Sequence, residues 1–150
     1  DSSTSRGLGD VYKRQGYRLR FGNLTDRLHH HGNTPDGMAV MTDEELELED
    51  GEAVITPGFF DKCTYMVEGA QTGEVSILDL DGEAYVTVRF DAPLFALWSP
   101  EGKEAPFLCI EPWYGRTDAI DFTGELKDRE YSNHLDAGEV FEKSFSILFY

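Results

Sequence analysis

One carboxylate, Glu111, stands where the sequence changes from apolar to aromatic. It follows the apolar run 107–110 and precedes Pro112, Trp113 and Tyr114. A charged side chain directly after such a run is costly unless it is paired, lies at a strand end or has a chemical role. A carboxylate beside aromatic rings is a candidate general base, and Trp113 and Tyr114 are residue types that stack on sugar rings. A strand-end glutamate bonded to the backbone is the alternative.

A second carboxylate, Asp61, follows Phe59 and Phe60 in the stretch 59–67, whose residue types favour β-structure. We predict that this stretch forms a buried strand with Asp61 among apolar and aromatic neighbours. Two carboxylates on adjacent strands can divide acid and base roles, as they do in sugar chemistry. The sequence spacing does not show whether Asp61 and Glu111 meet.

The histidines and cysteines predict neither a metal site nor a nucleophile. Adjacent residues of an extended chain point in alternating directions, so we expect His29, His30 and His31 to lie in an exposed polar loop and not around one ion. Cys63 and Cys109 lie within predicted strands and are expected to be buried, unreactive thiols. We predict no metal and no cofactor. Two cysteines form no disulfide framework, which favours a reducing, cytoplasmic location.

Short strands are the elements that must position these residues. Apolar and polar residues alternate in several segments, and Asp50-Gly51 and Asp81-Gly82 supply turns between them. The segments predicted as strands are 17–21, 45–49, 53–55, 59–67, 75–79, 84–90, 94–98, 107–110 and 140–150. Short strands separated by turn signals at intervals of about 8 to 12 residues predict an all-β protein, specifically an antiparallel β-sandwich.

The chain of 150 residues is strongly acidic, with 13 Lys and Arg against 29 Asp and Glu and a formal net charge of -16. This charge excludes nucleic-acid binding through phosphate contacts, and it argues against adhesion to an anionic membrane surface. A hydrophobic content of 40% is too high for a disordered chain. The composition therefore predicts a folded domain with a real core.

Residues 1–15 differ in character from the rest. They are rich in Ser, Gly and Arg, show no periodicity and end in DVYKRQ, which resembles a translated sequencing adapter. We expect this segment to be disordered and to be an assembly artefact, with a disordered native N-terminus as the alternative. The predicted sandwich domain therefore covers residues 16–150.

The stretch 109–118, CIEPWYGRTD, resembles the C-terminal signature of the aldose 1-epimerases, or galactose mutarotases, and in particular their LacX-like branch. The segments 95–100, 126–127 and 135–139 are also similar to that family. The resemblance covers residues 16–150 and implies part of a galactose mutarotase-like supersandwich. It also implies an isomerase that interconverts the α and β anomers of a free aldose by proton transfers.

The resemblance further implies roles for individual residues. Glu111 matches the glutamate that takes the proton from the C1 hydroxyl as general base, and Asp61 matches an aspartate that holds sugar hydroxyls. The histidine that protonates the ring oxygen has no match, because the family places it before the segment 17–21. We therefore expect a C-terminal fragment with little or no activity alone, whose uncovered strand edges make it associate.

Two other functions stay open at this point. The first is a carbohydrate-binding β-sandwich that uses Trp113 and Tyr114 as a stacking platform without turnover. The second is a structural β-domain whose acidic face serves only to keep it in solution. The identity of the aldose, the acceptance of sugar phosphates and the oligomeric state are left open by the sequence.

Overall fold

The computed structural model describes residues 16–103 and 105–150, and within these ranges the chain forms ten strands and one turn of 3-10 helix, Leu126–Asp128. The predicted disorder of residues 1–15 lies outside the described residues. No helix in the described part of the chain is long and apolar enough to cross a membrane.

The strands form two five-stranded sheets in which all neighbours are antiparallel. In chain order the strands are β1 (Arg18–Phe21), β2 (Arg27–Asn33), β3 (Ala39–Glu47), β4 (Glu52–Val54), β5 (Tyr65–Glu68), β6 (Glu74–Leu78), β7 (Ala84–Phe90), β8 (Leu94–Trp98), β9 (Cys109–Trp113) and β10 (Phe145–Phe149). The first sheet has the order β10-β7-β6-β1-β4, and the second has the order β3-β2-β5-β8-β9. The predicted all-β antiparallel sandwich is confirmed.

The two sheets pack face to face because alternate residues along their strands are apolar. Phe21 of β1 and Val75 of β6 face inward from the first sheet, and Phe95 and Leu97 of β8 face inward from the second. None of these four side chains is more than 2% exposed. Burying one such side chain stabilises the fold by roughly 1.5–3 kcal/mol, so this inner layer holds the sheets together.

The two predicted Asp-Gly turns both form, but they connect different kinds of strand pairs. The segments 75–79 and 84–90 pair as predicted in the β6–β7 hairpin. Asp50 and Gly51 have φ angles of 50° and 82°, as a type I′ turn requires, and a Cβ on Gly51 would lie 2.4 Å from the Leu24 carbonyl oxygen. This second turn carries the chain from β3 in one sheet to β4 in the other, so it joins the sheets and does not extend a hairpin.

The histidine loop predicted from the sequence is wrong. His29, His30 and His31 lie in β2, and His30 and His31 are buried. Three identical residues in a row hide the alternation between inward and outward side chains that marks a strand. Leu28 belongs to the core, and the centre of the His30 ring lies 4.5 Å from that of the Tyr65 ring. Neighbouring strands on both sides complete the backbone pairing of β2, which a local polarity pattern does not show.

The predicted strand 59–67 is also mostly wrong, because residues 59–62 form a turn and a bend, residues 63–64 are irregular, and β5 begins only at position 65. The Asp61 N–H donates to the Gly58 carbonyl at 3.0 Å, which closes a turn directly after the Pro-Gly pair. Cys63 therefore lies outside any strand and is half-buried. Burial, assisted by nearby negative charge, raises the pKa of the Cys63 thiol and keeps it protonated.

Candidate functional site

The edge strand β9 carries Glu111. The strand predicted at 107–110 begins two residues later and runs on to Trp113, passing through a proline that an edge strand tolerates. Alternation along the strand turns Ile110 toward the core. Cys109, Glu111 and Trp113 consequently point to the opposite side of the second sheet, which we call the outer face.

Glu111 and Trp113 contact each other directly on the outer face. The indole Nε1–H of Trp113 donates a hydrogen bond of 3.1 Å to Glu111 Oε2, and both residues are half-buried. The Cys109 thiol lies beside the same carboxylate, and burial together with that carboxylate raises the pKa of the thiol. Glu111 is therefore a mid-strand carboxylate held by a side-chain donor, and the alternative of a strand-end glutamate bonded to the backbone is wrong.

A row of side chains crosses the outer face in register with Glu111. Strand pairing aligns Glu111 with Ala96, Ala96 with Met66, and Met66 with His31. Ala96 and Met66 are almost fully buried and form an apolar floor between the two polar ends. Three strand spacings of ~4.8 Å place the backbones of His31 and Glu111 roughly 14 Å apart. The two side chains therefore lie at opposite ends of this floor.

The chain that leaves β9 crosses back over the outer face. Trp113 ends β9 at one edge of the second sheet, whereas Asp118 and Ile120 hydrogen-bond to the backbone of Ala39 in β3 at the other edge. Four strand spacings of ~4.8 Å make the sheet roughly 19 Å wide, a width that about six extended residues at ~3.3 Å each just span. We call residues 114–120 the crossing segment.

An ion-pair network around one buried arginine fastens the crossing segment to the sheet. The Arg116 side chain is 1% exposed, and its guanidinium contacts carboxylate oxygens of Glu68 in β5 and of Glu130. Glu68 also lies 3.0 Å from His31 Nε2, and the Tyr131 ring lies 5.8 Å from the guanidinium carbon. The sequence contains no local signal for this network, because only strand pairing brings β5 beneath the crossing segment.

Two open cavities lie on the outer face. The first has a volume of about 400 Å³ and is lined by residues 112–117, so it adjoins Glu111 and presents aromatic rings and backbone. The second has a volume of about 240 Å³ and surrounds the contact between His29 Nδ1 and Asp43 Oδ1, which are 3.0 Å apart. Trp113 and Tyr114 line the first cavity, and the Glu111 carboxylate lies next to it through its hydrogen bond with the Trp113 indole. A stacking surface with a carboxylate at its side suits a polyhydroxylated ring. In the part of the chain that is described, no group of three or more His, Cys, Asp or Glu side chains is arranged to hold a metal ion.

Asp61 does not lie on a buried strand with Glu111. It is exposed in the turn before β5, and its Oδ1 accepts a hydrogen bond of 2.9 Å from the Gly102 N–H in the loop after β8. That loop follows Trp98, which pairs with Cys109 and not with the Trp113 end of β9. The structure thus brings Glu111 and Trp113 together and leaves Asp61 beyond the far end of the strand. A substrate role for Asp61 stays a prediction.

The buried His30 is expected to make stability depend on pH. Burial lowers the pKa of His30, against the opposing charge of Glu44, and its Nδ1 has no hydrogen-bond partner among the described residues. His30 therefore binds a proton more readily in the unfolded chain than in the folded chain. The free energy of unfolding consequently falls as the pH drops below ~6.5, the pKa of histidine in an unfolded chain. Urea midpoints at several pH values should decline more steeply for the original chain than for His30→Phe. Parallel pH profiles of the two proteins would contradict this prediction.

Comparisons with known proteins show similarity in structure. No protein-family model and no curated protein sequence matches the chain. A galactose mutarotase related enzyme from Lactobacillus acidophilus superposes with a TM-score of 0.74 and 24% identity over 91% of this chain and 46% of its own length. A galactose mutarotase-like protein from Lactobacillus casei superposes with a TM-score of 0.67 and 20% identity over 89% of this chain and 45% of its own. The chain thus spans less than half of either protein, and its sandwich has the fold of part of the galactose mutarotase-like structures.

Proposed function

We propose that the outer face around Glu111 and Trp113 binds a free aldose, and that a protein containing this face interconverts the α and β anomers of that sugar. The observation that carries the proposal is the hydrogen bond of 3.1 Å from the Trp113 indole to the Glu111 carboxylate, beside an open aromatic cavity. The partial similarity to galactose mutarotase-like structures supports the choice of substrate class. The free thiols of Cys63 and Cys109 agree with the cytoplasmic location that belongs to the same proposal.

In the proposed reaction Glu111 acts as general base. Its carboxylate takes the proton of the C1 hydroxyl while the bond between C1 and the ring oxygen breaks, and C1 becomes an aldehyde. The ring oxygen gains a proton from an acid, a role for which we assign no residue of this chain. Rotation about the C1–C2 bond and closure on the other face of the aldehyde then return both protons and give the second anomer.

The Trp113 indole has two uses in this proposal. Its N–H holds the Glu111 carboxylate in place, and its ring provides a flat apolar surface for the C–H face of a sugar. The same surface also supports the second candidate, a carbohydrate-binding module without turnover. The two candidates differ in one measurable respect, since only an enzyme would lose its rate while keeping its affinity when the Glu111 carboxylate is replaced by an amide.

Sugar binding by the chain tests the proposal directly. The protein contains two tryptophans, so Trp98→Phe leaves Trp113 as its one indole fluorophore. Titration of this variant with D-galactose and with D-glucose should give a saturable fluorescence change. Removing the ring in Trp113→Ala should weaken binding by ~10-fold, as measured by saturation-transfer NMR, because a stacked aromatic pair is worth ~1 kcal/mol or more. Equal affinities of Trp113→Ala and the original chain, or no saturable binding of either sugar, would overturn the proposal.

A further inference from the structure

The first cavity of the outer face is built from one short segment of the chain. The residues that line it are consecutive, 112–117, and run from the end of β9 into the crossing segment. The shape of the cavity therefore depends on how firmly this one segment is held. Arg116 attaches the segment to Glu68 in β5 at one point. A second point of attachment would bear directly on the sugar site.

Tyr114 supplies this second attachment. Its phenolic O–H donates a hydrogen bond of 2.5 Å to Asp91 Oδ1. Asp91 belongs to the connection that carries the chain from β7 in the first sheet to β8 in the second. The Tyr114 ring also packs against the hydrophobic core. The segment that lines the cavity is thus tied to the point where the chain passes between the two sheets.

The segment before β10 contacts the same pair of residues. Lys143 Nζ lies 3.3 Å from Asp91 Oδ2 and 5.2 Å from the centre of the Tyr114 ring. The Phe141 ring meets the Tyr114 ring edge to face, with 5.9 Å between the ring centres. The Asp91 side chain is 66% exposed, so its ion pair with Lys143 contributes little. The hydrogen bond from Tyr114 is therefore the main attachment, because bonds from a hydroxyl to a carboxylate are among the stronger ones.

The ionisation of the two groups matches this hydrogen bond. The bond to the Asp91 carboxylate, with a smaller contribution from burial, raises the pKa of Tyr114 to about 12. The same bond, together with the Lys143 ammonium, lowers the pKa of Asp91. At neutral pH the phenol therefore keeps its proton and donates it, while the carboxylate is ionised and accepts.

We propose that Asp91 is a positioning residue of the sugar site, which holds the wall of the first cavity in place through its hydrogen bond with Tyr114. Asp91 lies outside the lining residues 112–117, so it affects a bound sugar only through Tyr114. This inference rests on the sugar-binding role proposed for the outer face. It gives the β7–β8 connection a share in the affinity for the sugar.

Removing the hydrogen bond from either end tests this role. In the Trp98→Phe chain, Asp91→Ala and Tyr114→Phe should each weaken the binding of D-galactose by ~3-fold, the scale of one hydrogen bond. The double variant should bind no more weakly than either single variant, because both substitutions remove the same bond. Asp81→Ala, which removes an exposed carboxylate in the turn before β7, is the matched control and should bind like the Trp98→Phe chain.

The Tyr114 phenol gives a second measurement that needs no sugar. Its pKa, followed by ¹³C NMR of the ring carbon that bears the hydroxyl, should fall from about 12 toward ~10 in Asp91→Ala. The signal is assigned by its absence in Tyr114→Phe. An unchanged pKa in Asp91→Ala would overturn the inference, because Asp91 would then not hold the phenol.

The binding data separate this inference from the proposed function. Unchanged affinity for D-galactose in Asp91→Ala, or a further loss in the double variant, would overturn the positioning role while sugar binding itself stands. A loss of affinity that the Asp81→Ala control shares would also overturn it, since any removed carboxylate would then have the same effect. No saturable binding by the Trp98→Phe chain would overturn the proposed function, and the positioning role with it.

Discussion

Replacing Arg116 by Met is expected to lower the free energy of unfolding by about 3 to 5 kcal/mol, as measured by urea denaturation at pH 7. The Arg116 side chain is 1% exposed and that of Glu68 is 16% exposed. Removing the guanidinium would leave the Glu68 carboxylate beneath the crossing segment without its cation. The loss comes mainly from this uncompensated charge, because methionine fills much of the volume of the arginine stem.

Arg89→Met is the matched control for this loss. Arg89 also contacts a carboxylate, that of Glu74, but its side chain is 54% exposed, so we expect a loss of at most ~1 kcal/mol. The double variant Arg116→Met with Glu68→Gln should recover part of the stability, since no unpaired carboxylate is then buried. Equal losses for Arg116→Met and Arg89→Met would show that burial adds nothing to the Arg116 network.

The sandwich could be predicted because its signals are local. Strands β1, β6, β7 and β8 each alternate or repeat apolar residues over a few positions, and Gly-containing turns separate β6 from β7. Strand β2 was missed because it places histidine at positions that face opposite ways, so residue type no longer marks the inner side. The prediction for segment 59–64 is wrong because its β-favouring aromatic residues lie in a turn, where the Phe59 ring stacks on Tyr65 and the Phe60 ring packs edge-to-face against both.

The site could be predicted only where its parts are neighbours in the chain. Glu111 and Trp113 are two positions apart on a strand, a spacing that puts both on one face, and their contact follows directly. The apolar floor of Met66 and Ala96 depends on the register between strands, and the Arg116 network depends on the path of the crossing segment. Neither register nor path is encoded in a short pattern, which is why these features required the structure.

Replacing Glu111 by Gln is expected to reduce the rate of anomer interconversion by ~10²-fold or more, the scale of losing a general base. Glutamine keeps the size of the side chain and an oxygen that still accepts the Trp113 indole hydrogen bond. The amide cannot accept a proton from the C1 hydroxyl. The rate of the chemical step should therefore fall, while the shape of the sugar site is unchanged. The rate is measured by polarimetry of fresh α-D-galactose, in a polypeptide that contains this chain and accelerates mutarotation above the buffer rate.

Two control measurements distinguish a general-base role of Glu111 from a purely structural role. Glu83→Gln, in the exposed β6–β7 turn, removes one negative charge far from β9 and should leave the rate unchanged. Sugar affinity of Glu111→Gln, measured on the described chain itself, should stay close to that of the original, because the amide preserves the contact with Trp113. Normal turnover by Glu111→Gln would remove the catalytic role. A parallel loss of affinity and rate would instead assign Glu111 to sugar binding, since catalysis by a base requires that the amide variant still bind the sugar that it fails to convert.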